Sequence, residues 1–395
     1  MLSMKRIVVL KGKSLYDVLR QAADIMVTRW RNLGYEVAIY DLADSSGYQS
    51  EQEQSQAVLD AVFSNDTLFV YVIQAHGFDV VDENNKPIFD RAGCPIVGQI
   101  VDTPIIHVKR LSNHFSDNIY IGCVDKKHVS MVKKYFPGVA HPYFMPHRGF
   151  LCQNKKPWSE RSMDVFFPGS YHSYEEEIAQ LQELPEPYRT MGLQLVNDML
   201  DNEKLAYEEG VSNVVYQMGY QADKNNMLLI MSALYPAYRA IHEFYRTMAV
   251  SELLAAGIHV TVCGRGWQNF STEYPQNLTV IEGRSINEIA ELMGDAKIVL
   301  NVCPVFTEGA HERIFTAMLA GAVCLTDEND YIHEILSDNV KYYNVRKMEL
   351  LPEMAKEILL HPEAAEVHTE RAYRLAYDKY RWENEADEVL EMLGL

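Results

Sequence analysis

Short β-branched and aromatic runs alternate with helical stretches along this chain, and after an interruption near residue 150 the alternation begins again. Residues 6–10, 36–42 and 67–73 read as strands, and apolar residues recur at helical spacing over 15–33 and 57–63 between them. Further apolar runs at 94–101 and 118–124, with a helix over 129–135, continue the pattern. Strands that are apolar on both faces must be covered on both faces, and an alternating strand–helix order does this with a parallel sheet between two helical layers. The second series places strands at 164–170, 258–263, 278–281, 298–302 and 323–326, with a long helix over 238–256 stopped by Gly257 and a helical tail over 363–393. Polar, basic, proline-punctuated residues 146–161 read as the linker, and the acidic helical stretch 174–226 as an insertion. The expected fold is α/β, with two tandem Rossmann-like doubly wound domains over 1–148 and 162–377.

Length and charge fit this plan. At roughly 150 residues per domain, 395 residues hold two well-cored domains. With 36 Lys and Arg against 55 Asp and Glu, the net charge of −19 disfavours nucleic acid and anionic membranes as partners. The excess is local. Residues 35–90 carry 11 acids and one base, and 173–210 carry 10 acids and two bases, whereas 91–172 carry 11 bases and five acids. A basic stretch between the domains suits an anionic small molecule. Six cysteines without C-x-x-C spacing, three of them inside apolar runs, suggest reduced core thiols. No apolar stretch approaches the ~18 residues of a membrane span, and 7–10 is too short for a signal-peptide core. A cytoplasmic location is expected.

In doubly wound sheets, ligands bind beyond the C-terminal ends of the strands, so the residues after each strand are the candidates. In the second half these are Gly169-Ser170, Gly264-Arg265-Gly266-Trp267, the 304–313 loop and Asp327. Glycines after a strand let backbone N–H groups approach an anion, and Arg265 adds a bidentate donor. A plain tight turn is the competing reading. Glu308 lies in the loop after the 298–302 strand, and a helix starting near Ala310 would turn its positive end toward a phosphate. In the first half, His76, Asp102 and Asp79 lie near strand ends where a general base could act on an acceptor hydroxyl; a loop cap and a turn are the alternatives. His141, His147 and Arg148 flank the linker. Leu10-Lys11-Gly12-Lys13-Ser14 lacks the upstream glycine of a P-loop, and no D-x-D metal motif follows a strand.

The ordered landmarks of the second half resemble the C-terminal nucleotide-sugar domain of GT-B glycosyltransferases, and within them the CgeB-like family of spore maturation. These landmarks are the 164–170 strand and glycine, the 238–267 helix and strand ending in Gly264-Arg265-Gly266-Trp267, and Ala296 to Asn301. They continue with Glu312-Arg313-Ile314-Phe315 through Gly321, Leu325-Thr326-Asp327, and Tyr380-Arg381-Trp382. Val101-Asp102-Thr103-Pro104 is similar to the family's D-x-P element. The resemblance implies two domains facing across a cleft, with a terminal helix over 378–395 joining the first. It implies transfer of a sugar from a nucleoside-diphosphate sugar to a protein or surface-polymer acceptor, without metal or other cofactor. It implies donor contacts from Gly169, Ser170, Gly264, Arg265, Trp267, Arg313, Thr316 and Asp327, and catalytic roles among His76, Asp102 and Glu308.

One position departs from the pattern. Related retaining enzymes carry a second glutamate eight residues after the first, and here that position is Thr316. A hydroxyl still hydrogen-bonds ribose, without a charge to strengthen the bond, and Arg313 gains weight as the partner of a diphosphate. A sugar-nucleotide epimerase or hydrolase of the same fold, and a non-catalytic binding scaffold, are the alternative functions.

Overall fold

The computed structural model describes residues 5–395. The chain divides into two units, the first running to Pro146 and including Trp382–Leu395, the second spanning His147–Arg381. Each is built on its own six-stranded parallel sheet.

The first sheet comprises β1 (Arg6–Lys11), β2 (Glu36–Asp41), β3 (Thr67–Ile73), β4 (Ile96–Ile100), β5 (Ser116–Cys123) and β6 (Val139–Phe144), in the order β2-β1-β3-β4-β5-β6. Its central strands are buried almost throughout, as helical cover on both faces requires. Sequence patterning did not anticipate β6, whose run Val-Ala-His-Pro-Tyr-Phe contains a proline and is half-exposed. An edge strand tolerates both, because one side of its backbone makes no ladder bonds. The helix Glu51–Val62 begins six residues before the expected start at 57 because the Ser50 hydroxyl caps it, accepting from the Glu53 N–H.

The helical tail is broken at Tyr380-Arg381 into Pro362–Lys379 and Trp382–Leu393. The second piece packs on the helix Val18–Asn32, where Trp30 donates its indole N–H to the Ala386 carbonyl at 2.9 Å and Arg29 pairs with Asp387. The buried Trp30 ring in turn meets the edges of Phe69 and Tyr71, at 5.5 and 5.6 Å.

The second sheet comprises β7 (Met163–Pro168), β8 (Val260–Cys263), β9 (Leu278–Ile281), β10 (Ala296–Asn301), β11 (Val323–Asp327) and β12 (Lys341–Tyr343). Their order, β12-β11-β10-β7-β8-β9, is the Rossmann order, reversing between β7 and β10. The three-residue edge strand β12 is too short for a periodic signal. The 174–226 stretch forms the helices Tyr174–Gln182, Tyr188–Asp201 and Tyr207–Gln217 and enters Lys224–Ala233, which absorbs the apolar run at 227–230. Two of these, Tyr174–Gln182 and Tyr188–Asp201, lie against the long helix Tyr235–Ala255. Among the described residues, no helix is long and apolar enough to cross a membrane.

Candidate functional site

The second unit's strand order reverses where β7 ends at Pro168 and β10 ends at Asn301, and Arg313 joins these two ends. Its Nε donates to the Pro168 carbonyl at 2.7 Å and its Nη1 to Asn301 Oδ1 at 2.7 Å. The remaining Nη2 has no protein acceptor among the described residues. It points past Gly169, where a Cβ would stand 3.3 Å from it. A side chain there would cover the one guanidinium edge left for a ligand. Burial, with Arg246 nearby, pulls the Arg313 guanidinium down to about 10, still charged at neutral pH.

The helix carrying Arg313 is Glu312–Leu319, capped by His311, whose Nδ1 accepts the Arg313 backbone N–H at 3.2 Å. A capping imidazole must be neutral, and burial beside Arg313 holds His311 well below its usual pKa. The helix thus starts two residues beyond the expected Ala310. From the long helix, Arg246 donates to the Ser170 carbonyl at 3.2 Å and lies 3.4 Å from Glu243, while His242 sits 3.3 Å from the Val302 carbonyl. Two guanidinium groups and neutral imidazoles therefore gather around the ends of β7 and β10. Such a cluster suits a phosphate or diphosphate.

Asp327, expected to touch the donor, stands behind this layer. It is buried and its Oδ1 accepts from the Cys303 N–H at 2.9 Å and from Asn301 Nδ2 at 3.2 Å. It thereby aims Asn301 at Arg313, and burial pushes its own carboxyl up to about 6. Thr316 is also no open ribose contact: it is fully buried, and its hydroxyl oxygen accepts the Phe150 N–H at 3.1 Å. The chain at Gly149 runs so close that a Cβ there would lie 2.7 Å from the Thr316 nitrogen.

Trp267 is buried and donates its indole N–H to the Gly169 carbonyl at 2.6 Å, so it braces the turn after β7 and presents no face to a ligand. The glycines of Gly264-Arg265-Gly266 serve the same packing. A Cβ at Gly264 would lie 2.4 Å from the Gly169 carbonyl oxygen and one at Gly266 2.1 Å from that of Tyr171. Gly266, at φ +88°, also needs glycine's backbone freedom. They admit protein backbone where the sequence suggested an anion. Arg265 is exposed and borders a polar groove of about 600 Å³ with Tyr171, His172, Thr247 and Phe270. Glu308 is half-buried in a loop held by Asn329, whose Nδ2 donates to the Phe306 and Gly309 carbonyls at 2.8 and 2.9 Å.

Residues 242–391 match a protein family described as glycosyl transferase-like. No curated protein matches the sequence. Among solved structures, a glycosyltransferase from Rickettsia africae has a TM-score of 0.56 at 8% identity, over 99% of this chain and 98% of its own. WaaG, a glycosyltransferase of lipopolysaccharide biosynthesis, has 0.52 at 12%, over 97% and 99%. HepE of Anabaena, in complex with UDP and glucose, has 0.52 at 10%, over 99% of both chains. The chain has the fold of the GT-B glycosyltransferases.

The other two catalytic candidates lie in the first unit. There the strand order reverses between β1 and β3, and His76 follows β3. Its Nε2 is 3.3 Å from the Lys13 carbonyl and its Nδ1 3.2 Å from Arg110 Nη2, an arrangement that assigns Nε2 as donor and Nδ1 as acceptor. Burial and Arg110 lower its pKa. With both nitrogens engaged and protonation disfavoured, the ring fits a positioning role better than that of a general base. Asp102 is exposed and accepts from Gln74 Nε2 at 2.9 Å, while the Gln74 carbonyl accepts from Arg110. The structure thus brings His76 and Asp102 into one cluster through Gln74 and Arg110. Exposed Asp79 acts on His76 only at longer range.

Sequence reasoning missed Arg246, Asn301, His242, His311 and Arg110. A signal for Arg246 was present, since Glu243 and Arg246 share the otherwise apolar face of the long helix. A charged pair on a buried helical face marks a site or a structural bridge.

Proposed function

We propose that the chain is a glycosyltransferase that takes a nucleoside-diphosphate sugar as donor and holds its diphosphate at the β7–β10 switch point. The sugar passes to a protein or surface-polymer acceptor, as the CgeB-like resemblance suggests. The carrying observation is the free Nη2 edge of Arg313, fixed by Pro168 and Asn301 and left uncovered by Gly169. A charge-assisted donor already held in place stabilises a diphosphate leaving group without reorganising as the bond breaks. Arg246, one shell away through Ser170, adds to the positive potential. With two guanidinium groups there, the reading needs no metal and no further cofactor, and a cytoplasmic site of action fits the supply of nucleotide sugars. Glu308 is the candidate group for the donor sugar.

The test is equilibrium binding of nucleoside diphosphates and their sugars to the full chain, followed by nucleotide release with and without acceptor. Arg313→Ala is expected to weaken diphosphate affinity by about 10- to 100-fold, the scale of a lost charge-assisted bond. Unchanged affinity in that variant removes Arg313 from the site. No nucleotide binding to the wild type removes the donor reading.

A further inference from the structure

The first unit has a switch point of its own, at the ends of β1 and β3, and its backbone is unusual. Of seven non-glycine residues with positive φ among the described residues, four lie in the two loops leaving this point: Tyr16 and Asp17 after β1, and Gln74 and Ala75 after β3. Adjacent left-handed residues cost energy unless the surroundings hold them, and such outliers gather at ligand sites. Here the holding is visible. Arg110 Nη1 donates to the Gln74 carbonyl at 2.8 Å, the Gln74 side chain accepts from the Val101 N–H at 3.2 Å, and Gly12 lies so close to His76 that a Cβ would stand 2.1 Å from the ring.

Arg110 is the odd cation of this region. Lys11 is paired with Asp24 and Arg20 with Asp41, but Arg110 faces no carboxylate within ion-pair distance among the described residues. Its partners are a carbonyl and two imidazoles, His76 at 3.2 Å and His107 at 3.4 Å. Both rings are held neutral, His107 down to about 3 by burial with Arg110 next, so they accept from the guanidinium without offsetting its charge. The buried His107 Nε2 also has no hydrogen-bond partner among the described residues. Among the described residues, Nε and the second Nη2 hydrogen of Arg110 have no protein acceptor, and the His76 ring meets the Lys13 carbonyl through its other nitrogen.

We propose that this switch point is an oxyanion site, and that the sugar acceptor carries a phosphate, sulfate or carboxylate group that pairs with Arg110. His76 and His107 are its positioning residues. They hold the guanidinium in place and, as neutral acceptors, leave its charge unoffset. The acceptor part of this inference rests on the glycosyltransferase reading above; the oxyanion site does not.

The experiment uses the full chain saturated with a nucleoside diphosphate, which occupies the second unit's switch point, and titrates inorganic phosphate into it. Arg110→Gln is expected to weaken phosphate binding at least about tenfold and Arg110→Lys to retain most of it, as a retained charge requires. Equal phosphate affinity in wild type and Arg110→Gln overturns the site. Should Arg110→Gln fail to fold, Arg110→Met, which keeps the aliphatic stem and removes the charge, carries the same comparison. Nucleoside-diphosphate affinity is expected to be the same in Arg110→Gln as in wild type; a parallel loss assigns the oxyanion to the donor and overturns the acceptor assignment. With matched acceptors, a glycoside bearing a uronate carboxylate is expected to exceed its neutral counterpart in kcat/KM by about tenfold or more, a preference that Arg110→Gln abolishes. Equal rates in wild type overturn the acceptor assignment. Absence of transfer to every acceptor counts against the glycosyltransferase reading, and the phosphate titration then decides the oxyanion site alone.

Discussion

Glu312 stands beside the buried Arg313, and its Oε2, 3.7 Å from His311 Nδ1, has no hydrogen-bond partner among the described residues. Burial pushes its carboxyl from 4.5 up to about 7, against the pull of Arg313. The folded state therefore keeps this proton where the unfolded chain has released it, and stability falls as pH rises from about 4.5 to about 7. The shift corresponds to about 3 kcal/mol. Glu312→Gln is expected to remove that loss: denaturant unfolding gains about 3 kcal/mol at pH 8 over wild type and nothing at pH 4. Parallel stability curves across that range count against a protonated Glu312. At this scale the sequence was half legible. Arg313 was visible from its place at a helix start, but the burial of Thr316 and Asp327 was not. Both face inward through contacts with Phe150 and Asn301, from segments with no sequence periodicity in common.

At the scale of elements, the buried strands were readable because a β-branched run covered on both faces has a distinctive pattern, whereas β6 and β12 are edge strands without it. The tail shows what pattern alone misses. Its helical spacing runs on through Tyr380-Arg381, yet the chain breaks there and Trp382–Leu393 joins the first unit. Trp30 carries much of that joint, through ring contacts to β3 and a hydrogen bond to Ala386. Trp30→Ala is expected to cost about 3–5 kcal/mol. Limited proteolysis checks this: cleavage is expected to accelerate within residues 5–146 and 382–395. Equal acceleration confined to 147–381 contradicts the assignment of the terminal helix.

At the scale of the whole molecule, two parallel sheets each carry a switch point with an arginine that, among the described residues, has no carboxylate partner: Arg110 in the first, Arg313 in the second. The net charge of −19 hides this, because the acids concentrate on the 35–90 and 173–210 stretches. A chain that repels polyanions can thus still present two small electropositive sites, since a buried guanidinium acts over a few ångströms and surface carboxylates are screened beyond about 8–10 Å. Each site, if occupied, stabilises the unit that forms it. A ligand at 100 times its Kd adds about 2.7 kcal/mol to that unit, which slows exchange of its best-protected amides by about 100-fold. Hydrogen exchange on the full chain is therefore expected to show a nucleoside diphosphate protecting the β7 and β10 amides most strongly. Inorganic phosphate, added to the diphosphate-saturated chain, is expected to protect those of β1 and β3. Protection of β1 and β3 by the diphosphate alone, with no further change on adding phosphate, places both anions in one ligand and contradicts two separate sites.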